Sequence, residues 1–544
     1  MKKILILIVF CLSIYESKML FSQNTNEKNS KIKNVIVMIP DGTSTSILSI
    51  ARWYQYYLDN SKQSLAFDSL NCGMVKTHSS NVPIGDSAPT SSWYATGVAS
   101  KSGFVATYPP KDSINDLVYI NPKKQFQPLL TVLEAAKLSG KKTGLVFTCE
   151  FPHATPADFS AHSYSRGDYD AISKQMVYNN IDVVFGGGEK FIKQDERDYL
   201  KNNGWDTIFN DYSRFKSTDN DKVWALFGAK DLPFDIDRNP LKIPSLSEMT
   251  AKALSVLSKN NDKGFFMMVE GSKVDWAAHS NDPVGIITEF LAFNKAVETV
   301  LKFTNSGSGE TVVVILPDHG NSGISLGNKN SNKSYDELTL SQIIDPLLKW
   351  KLTAEGFSKK ILQNSSDDSI KYYFKKYYTD GEISPSELVS VKNSVLKGKY
   401  GICDEVAKII ASKTYIGFTT TGHTGEDVFL AVYNPYKDRP TGIIRGDAVN
   451  KYLCKMLGNI NLSDSTEKYF QPHNILFKGL KSEVVQEKDD IILKVTNNEK
   501  ILEIPAYKNI AFLNGKAIKL NSVTVYVDLN NTFYLPESLG NLIK

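Results

Sequence analysis

Cysteine is scarce in these 544 residues: five are present, and none are paired as C-x-x-C. That spacing excludes zinc-ribbon and thioredoxin-like readings. Long apolar runs are missing as well. Past the opening stretch nothing approaches the roughly 18 consecutive apolar residues that a membrane-crossing helix needs. Neither sign of charge dominates, since 63 Lys and Arg nearly balance 59 Asp and Glu for a formal +4. No Lys/Arg tract resembles a nucleic-acid-binding segment, so nucleic acid is not an expected partner. What is present is ordinary globular composition, 42% hydrophobic and 22% charged. The length suits one large catalytic domain with appendages, or two or three average domains.

Lys2 and Lys3 precede an apolar stretch from Ile4 to Ile14, the n-region and h-region of a secretory signal. Export is therefore expected, to a periplasmic, secreted or cell-surface location. We place the signal at residues 1–22, with cleavage after Ser22, which lowers the formal charge from +4 to +2. Ile8, Val9 and Phe10 lack the small side chains expected ahead of a lipidated cysteine at Cys11. A soluble mature form with no transmembrane segment follows. Cys72, Cys149, Cys403 and Cys454 remain; an oxidising compartment would permit disulfides, and their spacing selects no pairing.

Short apolar or β-branched runs at 34–40, 143–149, 182–188, 265–271 and 311–320 alternate with amphipathic stretches. They read as buried parallel strands covered by helices, an α/β class with a doubly wound, mostly parallel sheet. Residues 328–413 are polar and helix-like, a helical insertion into a catalytic domain of 33–460. Residues 461–544 form short alternating strands around Asn-Gly and Asn-Asn turns, a small β-rich accessory domain.

Acidic residues and histidines fall just after the strands, where α/β sheets place their ligand sites. Asp41 follows the first run. Glu270 ends the run at 265, with Asp275 and His279 close behind. Asp318 and His319 close the run at 311, and His423 lies in a Gly-rich turn. The i, i+4 spacing of Asp275 and His279 puts both on one helix face. Alone, such a pair is an ordinary surface ion pair, and Asp318 is an ordinary turn cap. Together, three of the seven histidines and four carboxylates collect at strand exits or in Gly-rich turns. Oxygen and imidazole donors without cysteine suit zinc or magnesium.

Small residues from Gly85 to Gly97 predict a helix begun near Ser87. A serine there is most simply an N-cap, yet free amides and the positive dipole end also favour a bound phosphate, which aims the serine at phosphorus. Downstream, Thr155 offers a hydroxyl to a hard cation. Arg166 offers a planar fork to two phosphate oxygens, although a lone Arg is ordinarily a surface charge. Gly186, Gly187 and Gly188 read as a turn rather than a nucleotide loop.

As an ordered set these residues resemble the alkaline phosphatase family. The matches are Pro-Asp-Gly at 40–42, Asp-Ser-Ala at 86–88, Ala-Thr-Pro-Ala at 154–157 with Ser165-Arg166, Val-Glu-Gly at 269–271 with Asp275 and His279, Asp-His at 318–319, and Gly-His-Thr-Gly at 422–425. The resemblance implies hydrolysis of phosphate monoesters, with Ser87 as nucleophile and Arg166 gripping phosphate. It implies one zinc held by Asp275, His279 and His423. A second zinc would be held by Asp41, Asp318 and His319 beside Ser87, and magnesium by Asp41, Thr155 and Glu270. Two variable positions are His153 and Trp276; the tryptophan supplies no cation to phosphate, which shifts that task to Arg166. A homodimer or monomer is implied. Past Asn461 the resemblance ends, and envelope attachment is one role the accessory domain could serve. Ser87-Ala88-Pro89 also resembles the start of a sulfatase Ser-x-Pro-x-Arg signature, but Ser91 stands where its arginine would be. A non-enzymatic phosphate- or metal-binding protein is a further alternative, opposed by the intact nucleophile and ligands.

Overall fold

The computed structural model describes residues 31–307, 310–331, 335–488 and 490–543. The signal segment expected at 1–22 lies outside the described residues. Ten strands form the main sheet: β1 (Asn34–Pro40), β2 (Asn71–Lys76), β3 (Lys142–Glu150), β4 (Val183–Gly187), β5 (Asp206–Phe209), β6 (Val223–Leu226), β7 (Phe265–Gly271), β8 (Thr311–Ile315), β9 (Val428–Tyr433) and β10 (Gly442–Arg445). Their order across the sheet is β10-β2-β9-β8-β1-β7-β3-β4-β6-β5. Only β9 runs antiparallel to its neighbours. The mostly parallel α/β sheet expected from the apolar runs is what the chain forms.

Both faces of this sheet are buried, which is why its central strands are continuous apolar runs rather than alternating ones. Ile36, Met38, Met267, Val269, Val313 and Ile315 point into one core cluster. Their alternating neighbours Val35, Val37, Ile39, Phe266, Met268, Val312 and Val314 point into the other. The further apolar run DVFLAVYNP at 427–435 becomes β9, and four strands were not visible in the sequence. β2 and β10 are at or near one edge and largely solvent-touched, while β5 and β6 are four residues each.

Between β8 and β9 the chain makes five helices: Leu340–Leu348, Ala354–Gln363, Asp367–Tyr377, Pro385–Val395 and Gly398–Ser412. Phe357, Ile361, Phe374 and Val406 bury their inner sides in the first core cluster. The excursion is pinned at its base by two short antiparallel ladders. Ser325–Leu326 pairs with Ile416–Gly417, and Gly320–Asn321 pairs with His423–Thr424.

After residue 461 a five-stranded antiparallel meander runs through Lys481–Glu487, Asp490–Asn497, Lys500–Pro505, Ile510–Leu513 and Lys516–Lys519. Its last turn, Asn514-Gly515, has positive φ at both residues, 50° and 77°, as a type I′ hairpin requires. A three-stranded sheet of Gln471–Pro472, Val525–Val527 and Thr532–Leu535 follows. The unit does not stand apart: Val523, Val525, Val527 and Tyr534 belong to the same core cluster as β1 and β8. Among the described residues no helix is long and apolar enough to cross a membrane.

Candidate active site

The parallel strands deliver their acids to one edge. Asp41 leaves β1, Glu270 sits near the end of β7, and Asp318 lies just beyond β8, all fully buried. Helix Lys273–His279 starts immediately after β7, and its i, i+4 geometry brings His279 Nε2 to 3.4 Å from Asp275 Oδ2. The Gly320–Asn321 ladder carries His423 over the same edge, where its ring stacks on His319 at 3.9 Å between centroids. Gly42 makes room for the cluster. Its φ is +61°, and a Cβ there would lie 2.3 Å from Asp275 Oδ1.

Hydrogen bonding fixes which ring nitrogens carry lone pairs. Nδ1 of His279 faces the Thr421 carbonyl at 2.7 Å, Nδ1 of His423 faces the Gly85 carbonyl at 2.9 Å, and Nδ1 of His319 faces the Gly320 carbonyl at 3.1 Å. A carbonyl only accepts, so each Nδ1 is the N–H and each neutral ring presents a bare Nε2. Those Nε2 atoms then face other acceptors. His279 and His423 meet Nε2 to Nε2 at 3.1 Å, with Asp275 beside both. His319 Nε2 lies 3.3 Å from Asp41 Oδ1 and 3.4 Å from Asp318 Oδ2. Asp318 Oδ1 is already taken by the Gly42 and His319 amides, whereas buried Asp318 Oδ2 and Glu270 Oε1 have no hydrogen-bond partner.

The charge balance tells the same story. Burial pushes the Asp41 carboxyl well up, and Asp318 and Asp275 push it further. Burial lifts Glu270 to about 8. At His319 burial works downward, but Asp318, Asp41 and Asp275 outweigh it and raise the imidazole. Burial and His319 hold His423 below its ordinary value, so a proton is a poor substitute for a cation between the facing imidazoles. Acceptors arranged against acceptors in a buried cleft fit divalent cations. Among the described residues four groups have ligand atoms within 4.8 Å of one another: Asp41, Asp318 and His319; Asp275, His279 and His423; Asp86 with the same His319 and His423; and Cys149, His153 and Glu270.

Ser87 opens the helix Ser87–Thr96, which ends at Gly97 in the left-handed region. The N-cap is Asp86, not the serine: Asp86 Oδ1 accepts from Ser87 N at 2.9 Å. That frees the Ser87 hydroxyl, whose oxygen lies 3.4 Å from both Asp41 carboxylate oxygens and 3.3 Å from His319 Nε2. The same Asp86 oxygen holds Arg166 Nη1 at 2.5 Å. Arg166 Nη2 donates to His153 Nε2 at 3.3 Å, and burial beside Arg166 holds that imidazole down to about 3. Trp276 packs edge-on to His153 with 5.8 Å between centroids. Lys273 and Lys230 lie over its indole at 4.9 and 5.7 Å.

Thr155 is buried, and its hydroxyl accepts from Ser91 at 3.5 Å rather than touching Asp41. Glu270 does reach the Asp41 carboxyl, and Cys149 Sγ donates to Glu270 Oε2 at 3.4 Å. No disulfide joins Cys72, Cys149, Cys403 or Cys454. Sequence reasoning missed several supports. Besides Asp86, these are Cys149 and Asn321, whose amide holds Asp275 Oδ1 at 2.7 Å. Asp86 stood directly before the serine and was readable as a helix cap; Cys149 and Asn321 carried no signal.

A family model described as alkaline phosphatase matches residues 32–459. Alkaline phosphatase 4 of Bacillus subtilis is 32% identical over 445 residues, covering 79% of this chain and 90% of that protein. The repressible alkaline phosphatase of Saccharomyces cerevisiae is 30% identical over 493 residues, covering 80% and 83%. Among solved structures, the cold-active alkaline phosphatase of a psychrophilic Shewanella superposes with a TM-score of 0.67 at 28% identity, covering 79% of this chain and all of the other. The chain thus belongs to the alkaline phosphatase family, hydrolases of phosphate monoesters.

Proposed function

We propose that this chain is an exported phosphatase that cleaves phosphate monoesters through a phosphoserine at Ser87, using two zinc ions and one magnesium ion. The observation that carries the reading is the convergence on one buried sheet edge of three imidazoles, each anchored through Nδ1 on a carbonyl, with the carboxylates of Asp41, Asp275 and Asp318. Asp275, His279 and His423 would hold one zinc. Asp41, Asp318 and His319 would hold the other beside Ser87, and Asp41, Thr155 and Glu270 the magnesium. When bound, such ions lower the pKa of a coordinated hydroxyl or water and offset charge on the transferring phosphoryl group. Export rests on Lys2, Lys3 and the apolar stretch from Ile4 to Ile14.

The protein's own groups then divide the work. Arg166, steered by Asp86 and His153, binds two non-bridging oxygens and orients the phosphoryl group in line. Ser87 Oγ attacks phosphorus, and the bond to the leaving alkoxide breaks as the Ser87–phosphorus bond forms. The alcohol takes up a proton and departs. Water then attacks phosphorus from the side the alcohol left, the Ser87–phosphorus bond breaks, and the hydroxyl is restored. Two inversions give net retention at phosphorus.

Ser87→Ala tests this directly. Turnover of a phosphate monoester should fall by about a thousandfold or more, with inorganic phosphate still bound, and no acid-stable phosphoprotein should form from labelled substrate. Turnover near that of the unaltered protein would overturn the assignment.

A further inference from the structure

Residues 461–544 lie outside the family match, yet they touch the segment that carries Arg166. That segment, 161–166, is a strap with two sides. Its inner side is laced to residues 103–106. Val105 and Ser163 exchange backbone hydrogen bonds of 2.8 and 3.0 Å, Arg166 N donates to the Gly103 carbonyl at 2.7 Å, and His162 Nδ1 faces the Ala106 carbonyl at 3.1 Å.

Its outer side is covered by the C-terminal unit. The buried His162 ring meets Phe470 edge-on at 4.6 Å. The Tyr164 hydroxyl faces the Asp528 carboxylate, just past the strand Val525–Val527, and both side chains line one cavity. Phe470 is itself fixed, because its carbonyl accepts from Gln127 Nε2 at 3.3 Å while Thr466 Oγ1 accepts from Leu130 N at 3.0 Å. Val525 and Val527 are rooted in the core beneath the main sheet.

Beside these contacts, a cavity of about 310 Å³ lined by Ser163, Tyr164, Asp168, Lys174, Tyr507 and Asp528 separates strap and unit. Farther out the surfaces close again through Lys174, Asp490 and Lys508, at 2.9 and 2.7 Å. With a cavity alongside, few side chains transmit the position of the unit to the strap.

We propose that the C-terminal unit is an internal brace for the phosphate-gripping arginine. Phe470 and Asp528 act as positioning residues that fix His162 and Tyr164, and through them the reach of Arg166. The brace rests on the reading that Arg166 holds phosphate, so Arg166→Ala is the reference variant.

Tyr164→Phe and Asp528→Asn should each raise KM for a phosphate monoester, and the inhibition constant of inorganic phosphate, by about fivefold, the net worth of one ordinary polar contact. kcat should hold within about twofold. Because the two side chains act as one contact, the double variant should be no weaker than either single one, and Asp528→Glu should recover part of the affinity. Lys174→Ala, which cuts the outer ion pair, should lower the melting temperature and leave KM alone. Unchanged KM and inhibition constant in Tyr164→Phe and Asp528→Asn, with Arg166→Ala clearly weakened, would overturn the brace. Unchanged phosphate affinity in Arg166→Ala would instead overturn the reading beneath it.

Discussion

Two buried histidine–carboxylate pairs lie in the same body of this protein, His162 with Glu134 and His319 with Asp318, at 3.1 and 3.4 Å. Residue type, distance and burial nearly match; the supply of donors does not. Around Glu134, His162 Nε2 and Asn179 Nδ2 both reach one oxygen at 3.1 Å, and the Thr131 amide reaches the other at 3.0 Å. Burial works to raise that carboxyl, but His162 outweighs it and holds it down. His162, anchored through Nδ1 on the Ala106 carbonyl, is matched to this one carboxylate, and both Glu134 oxygens have partners. Around Asp318 one oxygen has two amides while the other has no hydrogen-bond partner, and the one imidazole beside it is shared with the Asp41 carboxylate. Glu289 shows a third solution. It is buried with one amide donor, from Asp235, and burial pushes it up to about 8, so it keeps its own proton. A buried carboxyl here is saturated by donors, matched to a cation, or left neutral, and only the second arrangement calls for a ligand.

The difference can be broken by substitution. Asp318→Asn should cost about a thousandfold or more in kcat/KM with zinc and magnesium supplied. In excess chelator its melting temperature should be no lower than that of the unaltered protein, because one of several facing acceptors has lost its charge. A large loss of stability in chelator would make Asp318 a structural residue like Glu134. The converse holds for Glu134→Gln: urea unfolding should show a loss of about 3 kcal/mol, since the partner of a buried pair is stranded, while kcat per folded molecule barely moves. A collapse of kcat with intact stability would erase the distinction.

The third arrangement is tested at Glu289. In the unfolded chain this group titrates near 4.5 and in the folded protein near 8. Between those values the unfolded state has given up a proton that the folded state retains. Stability therefore falls as pH rises from about 4.5 to about 8 and is level above that. Glu289→Gln should flatten that part of the profile, measured by urea unfolding at several pH values across the window. An unchanged slope would mean that Glu289 titrates normally.

Much of the edge proposed as the active site was legible because the residues that gather there are rare and fall at rhythmic places. The runs that became β1, β3, β4, β7 and β8 are apolar throughout, and an acid or histidine at the end of such a run stands out. The i, i+4 spacing of Asp275 and His279 survives unchanged in the helix. Supporting roles were hidden by distance along the chain. Asn321 serves Asp275 from 46 residues away, and Cys149 serves Glu270 from 121. Edge strands hid for another reason: β10, with its mostly exposed side chains, has no face whose burial demands a pattern. In the C-terminal unit, alternation identified strands correctly but said nothing of what their inner faces meet. Separate composition suggested a separate unit, and only the packing of Val523, Val525 and Val527 shows that it shares the catalytic core.

The two short ladders at the base of the helical excursion act as the stem of a very long hairpin. Closing a loop costs entropy that grows only with the logarithm of its length. Residues added on the outer sides of the helices, beyond Leu326 and before Ile416, leave the stem presenting His423 at the same rung opposite Asn321. The five helices meet the site from behind: Cys403 Sγ lies 3.6 Å from Ser280 Oγ, the residue after His279, and Ala354 N donates to Asp282 at 2.7 Å. Their outer sides form a region where this fold can grow or acquire new surface while the imidazole of the proposed ligand set stays in place.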